Sequence, residues 1–139
     1  MTTVPLPSFL PVDALDEFRK FDGPLIYLAA PLGHPDPSVQ QERFDSVNRY
    51  CGYLIRQHNL VFSPLSFGAS LDEDAISNSA WYALGLQMLS RCDELRILGL
   101  DGWQDSVGVT LETRYARQLR IPVSVADPST YEVKLLHGS

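Results

Sequence analysis

The run Pro24-Leu25-Ile26-Tyr27-Leu28-Ala29-Ala30, uncharged throughout and ended by Pro31, is the feature that most limits the possible folds. A strand with one wet face alternates apolar and polar residues, whereas a continuous apolar run needs cover on both faces and so belongs inside a parallel sheet. The rest of the chain supplies that cover. Asp36 caps and Pro37 opens a helix expected over 37–59, a second strand follows at 60–63, and 64–74 reads as a polar loop containing Gly68. A helix over 76–91, a strand at 94–100, a loop at 101–105, another helix and a strand at 121–126 complete the alternation. Strands spaced by helices of this length imply an α/β three-layer sandwich with a four- to five-stranded parallel sheet. Ligands of such sheets bind at the carboxyl ends of the strands, where the loops 31–37, 63–74 and 100–108 converge. The expected organisation is an N-terminal arm at 1–23, helical over 12–21, a single domain at 24–126, and a C-terminal tail at 127–139.

Composition closes off several functions. A chain of 139 residues, 45% hydrophobic, can bury one core and needs no second domain. Its net charge of -6 argues against a nucleic-acid polymer as partner, because phosphate backbones are met by basic surfaces. Cys51 and Cys92 sit inside helical patterns rather than in a metal or disulfide spacing, and read as thiols in a reducing compartment. There is no metal-ligand spacing and no dinucleotide glycine fingerprint, so no cofactor is expected. Neither a basic leader nor a membrane-length apolar stretch is evident, and a cytoplasmic protein without a membrane partner is the expectation.

The helix after Ser106 carries an anomaly. At 100° per residue Val109, Leu111, Tyr115, Ala116 and Leu119 share one arc, with Thr110, Thr113, Arg114, Arg117, Gln118 and Arg120 on the other. Glu112 falls in the middle of the apolar arc. A carboxylate there is either satisfied by a buried partner or put to use. Its place near the helix start predicts that the dipole keeps it ionised and nucleophilic. Just upstream, Ser106 and Gly108 offer a hydroxyl, backbone N–H groups and close approach, which suits a phosphate or carboxylate; Ser106 as a plain N-cap explains the same spacing.

Arg43 projects from the apolar arc of the 37–59 helix (Val39, Phe44, Val47, Tyr50, Cys51, Leu54, Ile55), close to the first loop. It can meet a ligand phosphate, pair with Glu112, or snorkel to solvent. Gly33 and His34 in that loop can add a backbone cradle and an imidazole, although a lone loop histidine is commonly just solvated. His58 and His137 look peripheral, and Glu73 and Asp74 form either a wet acidic turn or part of the crevice. On the 76–91 helix, Trp81, Tyr82, Leu84, Leu86, Met88, Leu89 and Cys92 spread over roughly 200°, wider than one sheet face covers. A second copy of the chain, or else the N-terminal arm, is expected to cover the excess.

Taken together, Tyr27-Leu28-Ala29-Ala30-Pro31, Cys92-Asp93-Glu94-Leu95, Gly102-Trp103 and Ser106-x-Gly108-x-x-x-Glu112 before Ile121-Pro122-Val123 resemble the nucleoside 2-deoxyribosyltransferase superfamily, in particular its small bacterial and phage branch. The resemblance runs over about 24–126, and the order of the motifs is more specific than any one of them. The Ser-x-Gly-x-x-x-Glu element also resembles relatives that hydrolyse 2'-deoxynucleoside 5'-monophosphates, in which the serine helps to hold phosphate. The resemblance implies a flavodoxin-like sheet, subunits that complete each other's sites, and a nucleophilic role for Glu112 at the anomeric carbon. The residues expected to contact substrate, from the pattern and the resemblance together, are Tyr27, Pro31, Gly33, His34, Arg43, Phe67, Trp103, Ser106 and Gly108.

Three positions depart from the family pattern. Gly85 stands where many relatives carry an Asp, Leu32-Gly33 follows Pro31 where they read Tyr-Ser or Tyr-Thr, and Phe67 stands where they tend to place His. Asp74, Asp93, Asp101 or a neighbouring subunit are the candidates to replace the missing Asp; Phe67 and Trp103 are candidates for stacking on a base or simply for packing the loops. The expected function is cleavage or transfer of the N-glycosidic bond of a nucleoside or nucleotide, foremost a 2'-deoxynucleoside 5'-monophosphate. The alternatives are a nucleotide-binding module with impaired turnover and a hydrolase of another ribosyl bond, in NAD or a ribotide.

Overall fold

The computed structural model describes residues 4–71 and 73–136. The arm helix α1 (Val12–Lys20) leads into β1 (Leu25–Ala29), α2 (Pro37–Arg56), β2 (Leu60–Phe62), a short α3 (Pro64–Gly68) and a 3-10 turn at Glu73–Ala75. Then come α4 (Asn78–Leu89), β3 (Glu94–Leu98), a 3-10 turn at Trp103–Asp105, α5 (Val107–Gln118), β4 (Val123–Ala126) and β5 (Val133–Leu135). One five-stranded sheet runs in the order β2-β1-β3-β4-β5. This is the flavodoxin-like order, whose ligand crevice lies where the chain winds away on both sides of β1 and β3.

The expected parallel sheet holds for four strands and departs in one. β1 pairs in parallel with β2 and β3, and β3 with β4, but β5 runs antiparallel against β4, with Ser124 opposite Leu135. The segment read as a tail therefore carries the edge strand. Asp127 starts its turn by accepting from the Ser129 and Thr130 amides, and Tyr131, at φ 63°, seats its ring 4.7 Å from both Tyr50 and Tyr53.

Several boundaries also move. The segment read as a polar loop contains α3, because Ser63 caps it and Pro64 fills its first position, where a missing N–H costs nothing. Ser77 caps α4 two residues later than the expected start, and α2 stops at Arg56 where His58 adopts φ 61°. His58 is peripheral to the crevice but not idle. Its Nε2 lies 2.7 Å from Glu17, and its ring meets Phe21 edge-on at 5.2 Å, which ties the arm to the end of α2 rather than to α4. His137 lies outside the described residues.

Strand alternation decides which side chains see which helices. Leu28 joins Val47, Tyr50, Leu54, Leu98 and Ala126 in the core under α2. Tyr27 and Ala29, one residue to either side, join Leu89, Ile97, Val109 and Ala116 under α4 and α5. Every residue of β1 from Ile26 to Ala29 is buried, as the continuous apolar run requires. Tyr27 is thereby committed to the same layer as the helix that carries Glu112.

Candidate active site

At the carboxyl edge of β1 and β3 a cavity of about 590 Å³ opens between α3, α4 and the start of α5. Glu112 reaches it because it shares a stripe of α5 with Val109 and Ala116, three residues before and four after, both fully buried. Burial pushes its carboxyl up from an ordinary value of 4.5 to about 7, while the polar Tyr27 hydroxyl beside it pulls the other way. The expectation that the helix dipole holds this group ionised is corrected here. The dipole acts within the first turn, whereas Glu112 is deeper in the helix and desolvation outweighs it. The Tyr27 phenol is in turn pushed strongly upward by burial and by the Glu112 charge, so it stays a proton donor.

Gly85 lies over this pair. A Cβ at that position would stand 3.1 Å from the Tyr27 hydroxyl oxygen, so α4 approaches β1 here as closely as a residue without a side chain allows. Ser106 caps α5, its hydroxyl accepting from the Val109 amide at 3.3 Å, and it also lines the cavity together with Gly108. The capping and cavity readings of Ser106 thus coexist.

Of the roles open to Arg43, the ion pair with Glu112 is not taken up among the described residues. Its Nη1 donates to the Gly33 carbonyl and its Nη2 to the Asp101 carbonyl, both at 2.9 Å. The guanidinium bridges the loops after β1 and β3 and still borders the cavity. Gly102 permits this, turning at φ 84° with its Cβ position 3.5 Å from Arg43 Nη2.

Of the other expected residues, Pro31 and Phe67 line the cavity. Phe67 is 49% exposed and continues an aromatic row, 5.9 Å from Phe62, which lies 5.8 Å from Tyr27. Two residues lie elsewhere. The His34 Nδ1 accepts from the Asp36 amide at 3.0 Å and its carbonyl accepts from Gln40, so the imidazole belongs to the start of α2. Trp103 packs against the core and lines a separate cavity behind α5.

The substitutes for the missing Asp are also not brought to the cavity. Asp93 accepts from the Leu25 amide at 2.8 Å, at the amino end of β1, and neither Asp74 nor Asp101 is among the lining residues. Asp105 is the second carboxyl on the wall among the described residues, and no motif in the sequence points to it. The α4 residues Trp81, Tyr82, Leu84 and Leu86 line the wall too. Their apolar excess was legible, but it pointed to a partner surface rather than to the cavity. Trp81 is locked there by Gly68, whose Cβ position is 2.6 Å from the indole. Among the described residues no cluster of His, Cys, Asp and Glu could hold a metal, and no helix is long and apolar enough to cross a membrane.

The family described as a domain of unknown function (DUF1937) matches residues 24–127. The chain belongs to this family. Among solved structures, this DUF1937 chain is similar to a 2-deoxyribosyltransferase from the psychrotolerant bacterium Bacillus psychrosaccharolyticus, at 21% identity and a TM-score of 0.58 over 79% of this chain and 77% of that one. That likeness is one of fold. No curated protein matches the chain.

Proposed function

We propose that this protein cleaves or transfers the N-glycosidic bond of a nucleoside or nucleotide, with Glu112 as the nucleophile and a 2'-deoxynucleoside 5'-monophosphate as the foremost substrate. The observation that carries the reading is Glu112 itself, a carboxylate on a buried helix stripe that opens on the main cavity beside a tyrosine hydroxyl. A group desolvated at this cost without an ion-pair partner is a functional candidate on physical grounds. The solved deoxyribosyltransferase of the same fold agrees with it.

The chemistry follows from that placement. A Glu112 oxygen attacks the anomeric carbon as the bond to the base nitrogen breaks; the bonding pair leaves with the base, which takes up a proton from solvent. Water or a second base then attacks the same carbon and returns the carboxylate. The transition state is oxocarbenium-like, so a largely desolvated carboxylate stabilises it by charge before trapping it. Tyr27 holds the carboxylate in place, the Phe62 and Phe67 faces suit a base, and Ser106, Gly108 and Arg43 suit a 5'-phosphate. Asp105 adjoins Ser106 and opposes a dianion, so the preference between monophosphates and nucleosides reads the balance of these charges.

The test is release of free base from a panel of deoxy- and ribonucleosides and their 5'-monophosphates, followed by chromatography. Release by the parent and none by Glu112→Gln supports the proposal. The second reading is a nucleotide-binding module, favoured by Gly85 in place of an Asp; it stands if no compound is turned over while nucleotides still raise the melting temperature. Turnover that requires the 2'-hydroxyl points instead to another ribosyl bond.

The nucleophile must be ionised, so kcat/KM is expected to fall as pH drops through about 7, the pKa of Glu112 in the free protein. Tyr27→Phe removes the hydroxyl that lowers this pKa and should move the acid limb upward. A limb below pH 5 in the parent would contradict the role given to Glu112.

We propose further that a second copy covers α4. One residue of this helix, Leu89, is fully buried, while Tyr82 and Leu84 are 47% and 44% exposed beside the cavity. Leu84→Glu is expected to shift the sedimentation coefficient to that of a monomer; a parent that sediments as a monomer at micromolar concentration disproves the assembly.

A further inference from the structure

The polar arc of α5 faces a second cavity, of about 350 Å³, on the side of the helix away from Glu112. Thr110, Thr113, Arg114 and Arg117 recur at the spacing that puts residues on one helix face, and Trp103 and Gln104 of the preceding 3-10 turn close the opposite wall. Two features mark this cavity out. Among the described residues neither Arg114 nor Arg117 takes part in an ion pair or a side-chain hydrogen bond, although the chain carries 17 acidic against 11 basic residues. Thr113 Oγ1 is buried without any hydrogen-bond partner, the one such side-chain atom among the described residues. A helical threonine ordinarily spends its hydroxyl on the carbonyl one turn back, and here it does not. A buried hydroxyl left unpaired is costly, and two like charges a turn apart repel each other. An oxyanion relieves the repulsion, and it relieves the other penalty as well once the Thr113 hydroxyl, fully occluded as it stands, turns about χ1 to face the cavity.

We propose that this cavity is a second anion site that takes a phosphate group, free or esterified. The Arg114 and Arg117 guanidinia supply the charge, the Thr113 hydroxyl and the Gln104 amide supply donors, and the Trp103 ring forms the apolar wall. Arginine forks match phosphate oxygens in pairs, which suits this spacing better than a single point charge would. The site stands apart from the Glu112 cavity and does not depend on the reaction proposed there.

The full chain, labelled with ¹⁵N, is titrated with inorganic phosphate, with ribose 5-phosphate, and with sodium chloride at matched ionic strength. Saturable shifts of the Trp103 indole N–H, the Arg114 and Arg117 Nε–H and the Thr113 amide are expected with phosphate and not with chloride. Tighter binding of the ester assigns the sugar to the Trp103 wall, whereas equal binding assigns recognition to the phosphate alone. Arg114→Gln with Arg117→Gln should weaken binding at least about tenfold, and the near-isosteric Thr113→Val should weaken it several-fold, each with a dispersed spectrum as the check on folding. Glu112→Gln should leave these shifts in place, which separates them from events in the first cavity. Signals that stay still under phosphate, that move equally with chloride, or that respond unchanged in the double variant overturn the proposal. So do shifts that depend on protein concentration alone, since these assign the arginines to a contact between copies.

Discussion

Glu112→Gln is expected to abolish base release and, at the same time, to make the protein more stable at alkaline pH. The first effect follows from chemistry, since an amide oxygen can neither trap the anomeric carbon nor carry the charge that stabilises the oxocarbenium-like state. A loss of roughly 10³-fold or more is expected for removing a group that acts only in the transition state. The second effect follows from linkage. The folded carboxyl titrates near 7 and the unfolded one near 4.5, so between these values the folded state binds the extra proton and stability falls as pH rises. Above pH 7 the parent carries the full cost of a buried charge, about 3 kcal/mol. Gln removes that cost, whereas below pH 4.5 parent and variant present the same neutral group and should melt together. For a chain of this size the gain at pH 8 corresponds to an increase in melting temperature on the order of 10 °C. A purely structural Glu112, satisfied in the core, predicts the reverse, with Gln neutral or destabilising at every pH. Melting curves at pH 4 and pH 8 therefore separate a strained functional carboxylate from a settled structural one, even before a substrate is known.

What the chain discloses about itself depends on how local the responsible physics is. β1 and its burial follow from an apolar run that no half-exposed strand could carry, and Glu112 on a buried stripe follows from helical spacing alone. β5 does not announce itself in the same way. Its three residues are all exposed, and it is held by the Asp127 turn and by Tyr131 inserted against Tyr50 and Tyr53, partners far away in sequence. α3 was legible in principle from Ser63-Pro64, a cap followed by the residue preferred at the first helical position. Side-chain direction in loops was not legible. His34 and Trp103 sit in the expected loops, yet one is spent on the Asp36 amide and the other packs behind α5, because three-dimensional neighbours rather than the local sequence choose which way a loop side chain turns. The protonation of Glu112 is hidden from the sequence for a related reason. The dipole can be read from position in the helix, but desolvation depends on β1 and α4, which only the fold brings over it.

Arg43 shows how a charged residue beside a cavity can matter without being a ligand in the resting protein, and its replacement carries the second large expected effect. Its two guanidinium nitrogens hold the carbonyls of Gly33 and Asp101, residues far apart in sequence that sit in the loops following β1 and β3. These are the middle two of the four parallel strands, so the fork sets the width of the crevice at the point where the sheet splits its connections. Arg43→Met keeps much of the apolar stem and removes both donors. The freed carbonyls lie at an exposed edge where water can pair with them, so the melting temperature should change little, and the effect should fall on the geometry of the site. A displacement near 1 Å of loops that flank the reacting carbon is enough to cost about 100-fold in turnover. Arg43→Lys should recover only part of this, because one ammonium cannot reproduce a planar fork that reaches two carbonyls at once. A direct phosphate contact makes a different prediction, since Lys would then largely rescue the 5'-monophosphate and the loss would be confined to phosphorylated substrates. Comparing kcat/KM for a nucleoside and its 5'-monophosphate in both variants distinguishes the two. An equal loss on both compounds, poorly rescued by Lys, assigns Arg43 to the bridge between the loops; a loss on the monophosphate alone assigns it to the ligand.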